Sequence, residues 1–353
     1  MSTKKCALVY ADRFYCCADG KTAHGLVRYS KRYHIIGVVD STVAEGDAGE
    51  LLDGQYRNIP LYNSLEKALN QTEAETFIIG AVSEGGILPR GYDKAVEWAL
   101  KQHMDVVSGL HQFLSDNPRF RKLAQQHKCT LTDVRKMFRD HRRFYTGDIR
   151  KVKSIRLAML GTDSAIGKRT VAVLLNEELK RRGRKTDMIY TGQTGWLQGW
   201  PHGVVLDALI NDFVAGGIEG AIVDSWNDDH PEFMFIEGQG SLVHPFFPGG
   251  FEILAAGNVH GFILVDAPKR QHLDGFPDYP MPDPHRVVKI AELLTEKPLI
   301  GISINKENMT TDNVIQAKYD FKKQFHVPVV EPLHEGVGAL ADKIEELNDK
   351  KQS

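Results

Sequence analysis

The feature that most constrains this 353-residue chain is a ten-residue loop, Gly161-Thr162-Asp163-Ser164-Ala165-Ile166-Gly167-Lys168-Arg169-Thr170. It lies between a short apolar run at 157–160 and an amphipathic pattern at 171–181. Strand, glycine-bearing loop and helix in that order make a P-loop, whose backbone curls until several N–H groups point inward. The helix N-terminus adds partial positive charge, and Lys168 adds a full one. A chain built around such a loop needs a parallel α/β sheet to hold the strand that feeds it. Two departures stand out. One residue more than in the common pattern separates Gly161 from Gly167, and Arg169 stands where an NTPase places the Ser or Thr that ligates magnesium, with Thr170 one position late. These residues point to a phosphate cradle and away from magnesium-nucleotide hydrolysis.

The length predicts two domains. In the first, apolar runs rich in β-branched residues at 6–10, 34–40, 76–81 and 105–108 read as buried parallel strands. Helical patterns at 64–69, with Ser64 as cap, and at 92–102 lie between them. The expected fold class is therefore α/β throughout: a Rossmann-like doubly wound domain over 1–118, then a P-loop NTPase-like parallel α/β domain over 155–353. The dinucleotide fingerprint is missing after the first strand, where Ala11-Asp12-Arg13-Phe14-Tyr15 stands, so a scaffold is expected there in preference to a nicotinamide site. From 119 to 156 thirteen Lys and Arg face three acidic residues. This reads as a basic helical connection over 119–154, either a solvated face or a rim that attracts anions. Residues 347–353 read as a frayed polar tail.

In the P-loop domain, ligands are expected at the carboxyl ends of the strands. The run at 187–190 ends in Thr191-Gly192-Gln193-Thr194-Gly195-Trp196, which makes Gln193 and Thr194 candidates for substrate contact. The run at 233–236 is tipped by Glu237, a general base, a metal holder through water, or a carboxylate bonded to loop amides. Gln239, Gly240 and Ser241 follow, then His244, a proton shuttle or a ring packed by Pro245 and Phe246. After the run at 261–265 come Lys269 and Arg270, and further on Arg286; these are anchors for substrate carboxylates or plain surface cations. The proline-rich stretch 276–283 is a lid candidate, and Asp283 with Pro284 opens a helix. A last strand at 298–304 is tipped by Asn305-Lys306.

A formal net charge of −2 gives no global field for nucleic acid or an anionic membrane. No apolar run reaches membrane-spanning length, and the N-terminus lacks the apolar stretch and cleavage site of a secretory leader. The four cysteines have neither metal-ligand spacing nor disulfide density, so a reducing, cytoplasmic compartment is expected.

The loop GTDSAIGKRT, the strand tips TGQTGW and IEGQGSL, and the two-domain layout together resemble a family that pairs a Rossmann-like domain with a P-loop domain, long catalogued as a domain of unknown function. Its members include the DgcN-type D-glutamate N-acetyltransferases. The resemblance implies transfer of acetyl from acetyl-CoA to the amine of D-glutamate. The loop amides, Lys168 and Arg169 would then take the pyrophosphate or 3′-phosphate of coenzyme A. Glu237 is the first choice for base and His244 the second, the 239–241 loop would meet the oxyanion, and Lys269, Arg270 and Arg286 would meet the substrate carboxylates. No residue set is assigned to a metal; the partners are a small amino-acid substrate and further copies of the chain in a homo-oligomer, with no nucleic acid or membrane. The P-loop domain is similar, more distantly, to dethiobiotin synthetase. That makes an ATP- and magnesium-dependent ligase or kinase the alternative, and a nucleotide-switched binding protein a third reading.

Overall fold

A computed structural model describes residues 4–352. The chain forms two compact units, Met1–Asp140 with Gln193–Trp200, and His141–Gly192 with Pro201–Ser353.

The first unit holds seven strands: β1 (Lys5–Tyr10), β2 (Tyr33–Val39), β3 (Gly46–Asp47), β4 (Pro60–Tyr62), β5 (Thr76–Ile79), β6 (Asp105–Ser108) and β7 (Leu131–Asp133). They lie in the order β3-β4-β2-β1-β5-β6-β7, parallel except for the short β3–β4 pair. The four expected strands sit at the centre because both their faces are covered, which demands near-continuous apolar runs. Leu8, Phe77, Ile79 and Val106 pack there with Tyr92, Val96 and Leu100 of the helix Tyr92–Lys101. Ser64 caps the helix Leu65–Gln71 as expected, accepting from Lys67 N.

The second unit holds β8 (Ile155–Gly161), β9 (Thr186–Ile189), β10 (Phe233–Ile236), β11 (Gly261–Asp266), a hairpin of β12 (His272–Leu273) and β13 (Phe276–Pro280), β14 (Leu299–Ile304) and β15 (Val329–Val330). The six-stranded sheet is wholly parallel, in the order β15-β14-β11-β8-β10-β9. The chain builds β9 and β10 on one side of β8 and then crosses to β11 on the other. This reversal opens a crevice at the carboxyl end of β8, where open α/β sheets bind ligands.

Several expectations are corrected. The stretch 119–154 is not a separate connection. Its first part forms the helix Pro118–His127, the sheet strand β7 and the helix Val134–Arg139, all in the first unit; its last part belongs to the second. Some of its charges are paired: Arg119 with Glu97, Lys136 with Asp116, Arg143 with Asp224. Just beyond it, Arg156 is buried and donates to the carbonyls of Val152, Ser154, Gly257 and Asn258. The proline-rich lid candidate is a hairpin, because Asp274-Gly275 supplies a two-residue turn with Gly275 at φ +78°. The helix Gly338–Gln352 continues through most of the predicted tail, as a stretch free of Pro and, after Gly338, of Gly allows; Ser353 lies outside the described residues.

Candidate active site

At the carboxyl end of β8 the chain turns through the expected loop and enters the helix Lys168–Arg181. The helix starts three residues earlier than its amphipathic pattern suggests, since Lys168, Arg169 and Thr170 occupy its first turn. Ala165 at φ +50° and Gly167 at φ +105° produce the curl. Among the described residues, the backbone amides of Ala165, Ile166 and Gly167 have no hydrogen-bond partner in the chain. Buried or half-buried N–H groups are nearly always paired. Three open donors at a helix N-terminus fit an anion. Lys168 folds back over the loop, with Nζ donating to the Asp163 carbonyl at 2.6 Å.

The loop is braced from below and from the side. Thr162 Oγ1 donates to Asp266 Oδ1 at 2.6 Å, and burial pushes that carboxyl up to about 6. Asp163, fully buried, accepts from Arg270 Nη1 and from Asp274 N through Oδ2, both at 2.8 Å. Ser164 Oγ donates to Asp274 Oδ2 at 2.8 Å, and Asn305 Nδ2 donates to the Ile166 carbonyl at 3.1 Å.

Glu237, 4% exposed, stands one residue past β10. Its Oε2 accepts from Thr191 N at 2.9 Å and Gly192 N at 3.3 Å, while Oε1 faces Arg169 Nη1 at 3.3 Å. The carboxylate therefore has the loop-amide bonds foreseen as one of its readings, together with an ion pair to the P-loop helix. Gly238 follows because nothing larger fits: a Cβ there would lie 1.7 Å from the Met159 carbonyl. Gly240, at φ +54°, turns the chain against Phe247, whose carbonyl accepts from Ser241 N at 3.0 Å. Gln239 Nε2 donates to Thr191 Oγ1 at 3.2 Å.

His244 is buried, and its Nδ1 accepts from the amides of Phe246 and Phe247, each at 3.2 Å. Burial lowers its affinity for a second proton, so the ring is neutral with its hydrogen on Nε2. Nε2 lies 3.5 Å from Asp163 Oδ1 and has no hydrogen-bond partner. In this tautomer Nε2 has no lone pair to accept a proton.

The sequence candidates thus divide. Residues 161–170, Glu237, the 239–241 loop and His244 converge on the end of β8. Arg270 is there too, but as a brace whose fork is held by Asp163, the Ser164 carbonyl and Glu307. Lys269 is exposed beside it. Arg286 lies elsewhere in the unit, exposed on the helix Pro284–Thr295 and lining a shallow cavity of about 400 Å³ with His285 and Lys289. Gln193 and Thr194 are counted with the first unit and are buried there, bonded to Thr22: Gln193 Nε2 to Thr22 Oγ1 is 2.7 Å, and the two threonine hydroxyls are 3.1 Å apart. The braces Asp266, Asp274 and Glu307 were not foreseen; only the strand-end position of Asp266 could have drawn notice. Nor was a buried cluster at the other end of β9, where His202 sits between Asp187 Oδ2 at 2.5 Å and Asp228 Oδ2 at 2.9 Å and is pushed up to about 9.

The comparisons with known proteins agree with this architecture. Residues 143–341 match a P-loop domain, and residues 41–137 a Rossmann-like domain, both described as domains of unknown function and designated DUF1611_C and DUF1611_N. A D-glutamate N-acetyltransferase of Tritonibacter scottomollicae is 32% identical over 299 residues, 83% of this chain and 88% of that protein. A protein of the same name from a Pseudoalteromonas species is 30% identical over 277 residues, 76% of this chain and 80% of the relative. The crystal structure of a DUF1611 family protein from Anabaena variabilis superposes with a TM-score of 0.88 at 28% identity, over 97% of this chain and 100% of the other. Both named relatives are acyltransferases, and by this similarity the chain is an enzyme of that class. No helix among the described residues is long and apolar enough to cross a membrane. With both domain models matched in order and relatives aligned over most of its length, the chain belongs to the DUF1611 family.

Proposed function

We propose that the enzyme moves an acetyl group from acetyl-CoA to the amino group of D-glutamate. The names of the two relatives carry the reading, since each is a D-glutamate N-acetyltransferase and is aligned over at least 80% of its length. The site's chemistry supports it. Coenzyme A presents a pyrophosphate and a 3′-phosphate, and the open amides of Ala165, Ile166 and Gly167 suit such an anion. Arg169, paired with Glu237, cannot ligate magnesium, which suits a phosphate-bearing ligand bound without a metal.

In this mechanism Glu237 takes the proton that the amine must lose. The nitrogen attacks the thioester carbonyl, the C–N bond forms as the C–S bond breaks, and the thiolate leaves. Both carboxylate oxygens already accept from neighbours, which fixes the group's orientation and leaves further lone pairs for the substrate. His244 serves as a donor and not as the base, since its proton is on Nε2. The 239–241 loop meets the developing oxyanion, and the exposed Lys269 meets a substrate carboxylate.

The test is thiol release from acetyl-CoA with D- or L-glutamate, with and without magnesium-ATP, alongside product mass. Acetylated product from the D isomer without metal is expected, with kcat of Glu237→Gln lower by about a hundredfold or more. ADP formation that requires magnesium, without thiol release, would replace this reading by the ATP-dependent ligase or kinase. Unchanged turnover in Glu237→Gln would remove the base assignment.

A further inference from the structure

The hairpin of β12 and β13 is fastened to the P-loop at its tip. Asp274, the first residue of its two-residue turn, donates its amide to Asp163 and accepts from the Ser164 hydroxyl through its carboxylate. Two residues on, Phe276 begins β13 and so lies close to that anchor. Its ring packs edge-on against His244, centroids 5.3 Å apart, and Phe247 packs against His244 at the same distance. Phe246 touches both phenylalanines, at 4.6 Å from Phe247 and 5.8 Å from Phe276, and Tyr279 extends the row at 5.8 Å from Phe276.

This row of rings is open to solvent: Phe246 is 64% exposed, Tyr279 49% and Phe247 46%. Contiguous exposed apolar surface of this kind usually marks a binding site. At its root lies the unpartnered His244 Nε2, a buried donor 3.5 Å from the P-loop carboxylate of Asp163. The patch is therefore joined to the phosphate cradle by three connections: the hairpin anchor, the histidine ring and the Asp163 carboxylate.

We propose that Phe246, Phe247, Phe276 and Tyr279 form a stacking platform for the purine ring of the ligand whose phosphates occupy the P-loop. The inference rests on the reading of that loop as a nucleotide-phosphate site. Every purine has a π-face, and stacking on a tilted ring adds affinity without demanding hydrogen-bond partners. The P-loop holds the charged end of the ligand, and the platform holds its flat apolar end. It distinguishes a nucleotide-bearing donor from a bare phosphate or pyrophosphate.

The experiment is calorimetric titration of the full-length protein with ADP and with inorganic pyrophosphate, for wild type, Phe246→Ala and Phe246→Trp, with thermal melting and sedimentation of each. Phe246 is chosen because it is the most exposed ring and its removal leaves little packing undone. ADP affinity is expected to fall about tenfold in Phe246→Ala and to be retained in Phe246→Trp, with pyrophosphate affinity unchanged in both. An unchanged ADP affinity, an equal loss for both ligands, or a change in self-association with nucleotide affinity intact would overturn the platform while leaving the phosphate site standing. Failure of wild type to bind either ligand would overturn the phosphate site and the platform together.

Discussion

Each unit has a loop leading from a central strand toward a helix, and the two loops treat their backbone amides in opposite ways. In the first unit the loop after β1 is closed by its own chain. Asp40, fully buried one residue beyond β2, accepts from Arg13 N and Tyr15 N at 2.9 Å each, and from the amide and hydroxyl of Thr42 at 2.8 and 2.6 Å. These amides lie where a dinucleotide-binding fold would offer N–H groups to a pyrophosphate. In the second unit, Asp163 accepts from a single amide of its own loop, Ser164 N at 2.6 Å, and otherwise holds Arg270 and Asp274, so the amides of Ala165, Ile166 and Gly167 stay open. The same sheet architecture thus closes the loop amides in one case and leaves three of them open in the other.

The contrast can be broken most severely at the glycines. Gly238→Ala would drive a Cβ into the Met159 carbonyl beneath the P-loop, and a loss of about 3 kcal/mol or more is expected by thermal or denaturant unfolding. Gly46→Ala in the first unit meets nothing within 4 Å and should change stability by less than about 0.5 kcal/mol. Comparable losses at the two positions would mean that the phosphate loop is no more tightly built than an ordinary edge strand.

Asp40→Ala leaves the amides of Arg13, Tyr15 and Thr42 without their acceptor. About 2 kcal/mol of stability should be lost at neutral pH, with KM for the proposed donor, acetyl-CoA, unchanged. Although burial opposes ionisation, the hydrogen bonds from Thr42, Arg13 and Tyr15 hold the Asp40 carboxyl below its usual range. Its contribution is therefore present at and above the ordinary carboxylate range and lost as pH falls through its depressed value, so the variant and wild type should converge in strong acid. A changed KM with unchanged melting would make this loop a ligand site and erase the contrast.

Asp266 responds to pH with the opposite sign. Its carboxyl, raised by burial to about 6, favours the folded state when protonated, so this contribution is full below the ordinary carboxylate range and declines as pH rises to about 6. Unfolding measured from pH 4 to 7.5 should show wild type losing on the order of 2 kcal/mol relative to Asp266→Asn. Parallel pH profiles for the two proteins would show that the group beneath the P-loop is ionised throughout.

Much of the fold was legible because buried parallel strands have a distinctive composition. Residues 6–10, 76–81, 155–160 and 261–265 are apolar with little interruption, and each became a sheet strand. The strand β7 escaped because it is a three-residue edge strand, only partly buried and lying inside a strongly basic stretch. The hairpin was masked by its prolines, which suit β13 because it belongs to an isolated exposed pair. At the site, residues 161–170 and Glu237 were readable from their place at strand ends. The role of Arg270 was not, because an arginine after a strand reads the same whether it faces substrate or braces a loop.

The sequence by itself determined that a P-loop exists, that it lies between a buried strand and a helix, and that an arginine, which cannot ligate a cation, follows Lys168. Glycine spacing and residue type impose those outcomes locally. Only the tertiary structure decided which polar groups are already engaged. Gln193 and Thr194 follow a strand of the second unit and yet are buried in the first against Thr22, and both terminal nitrogens of Arg270 are engaged, by Asp163, the Ser164 carbonyl and Glu307. Hydrogen-bond satisfaction depends on partners as far as 173 residues away in the chain, and no local pattern encodes them.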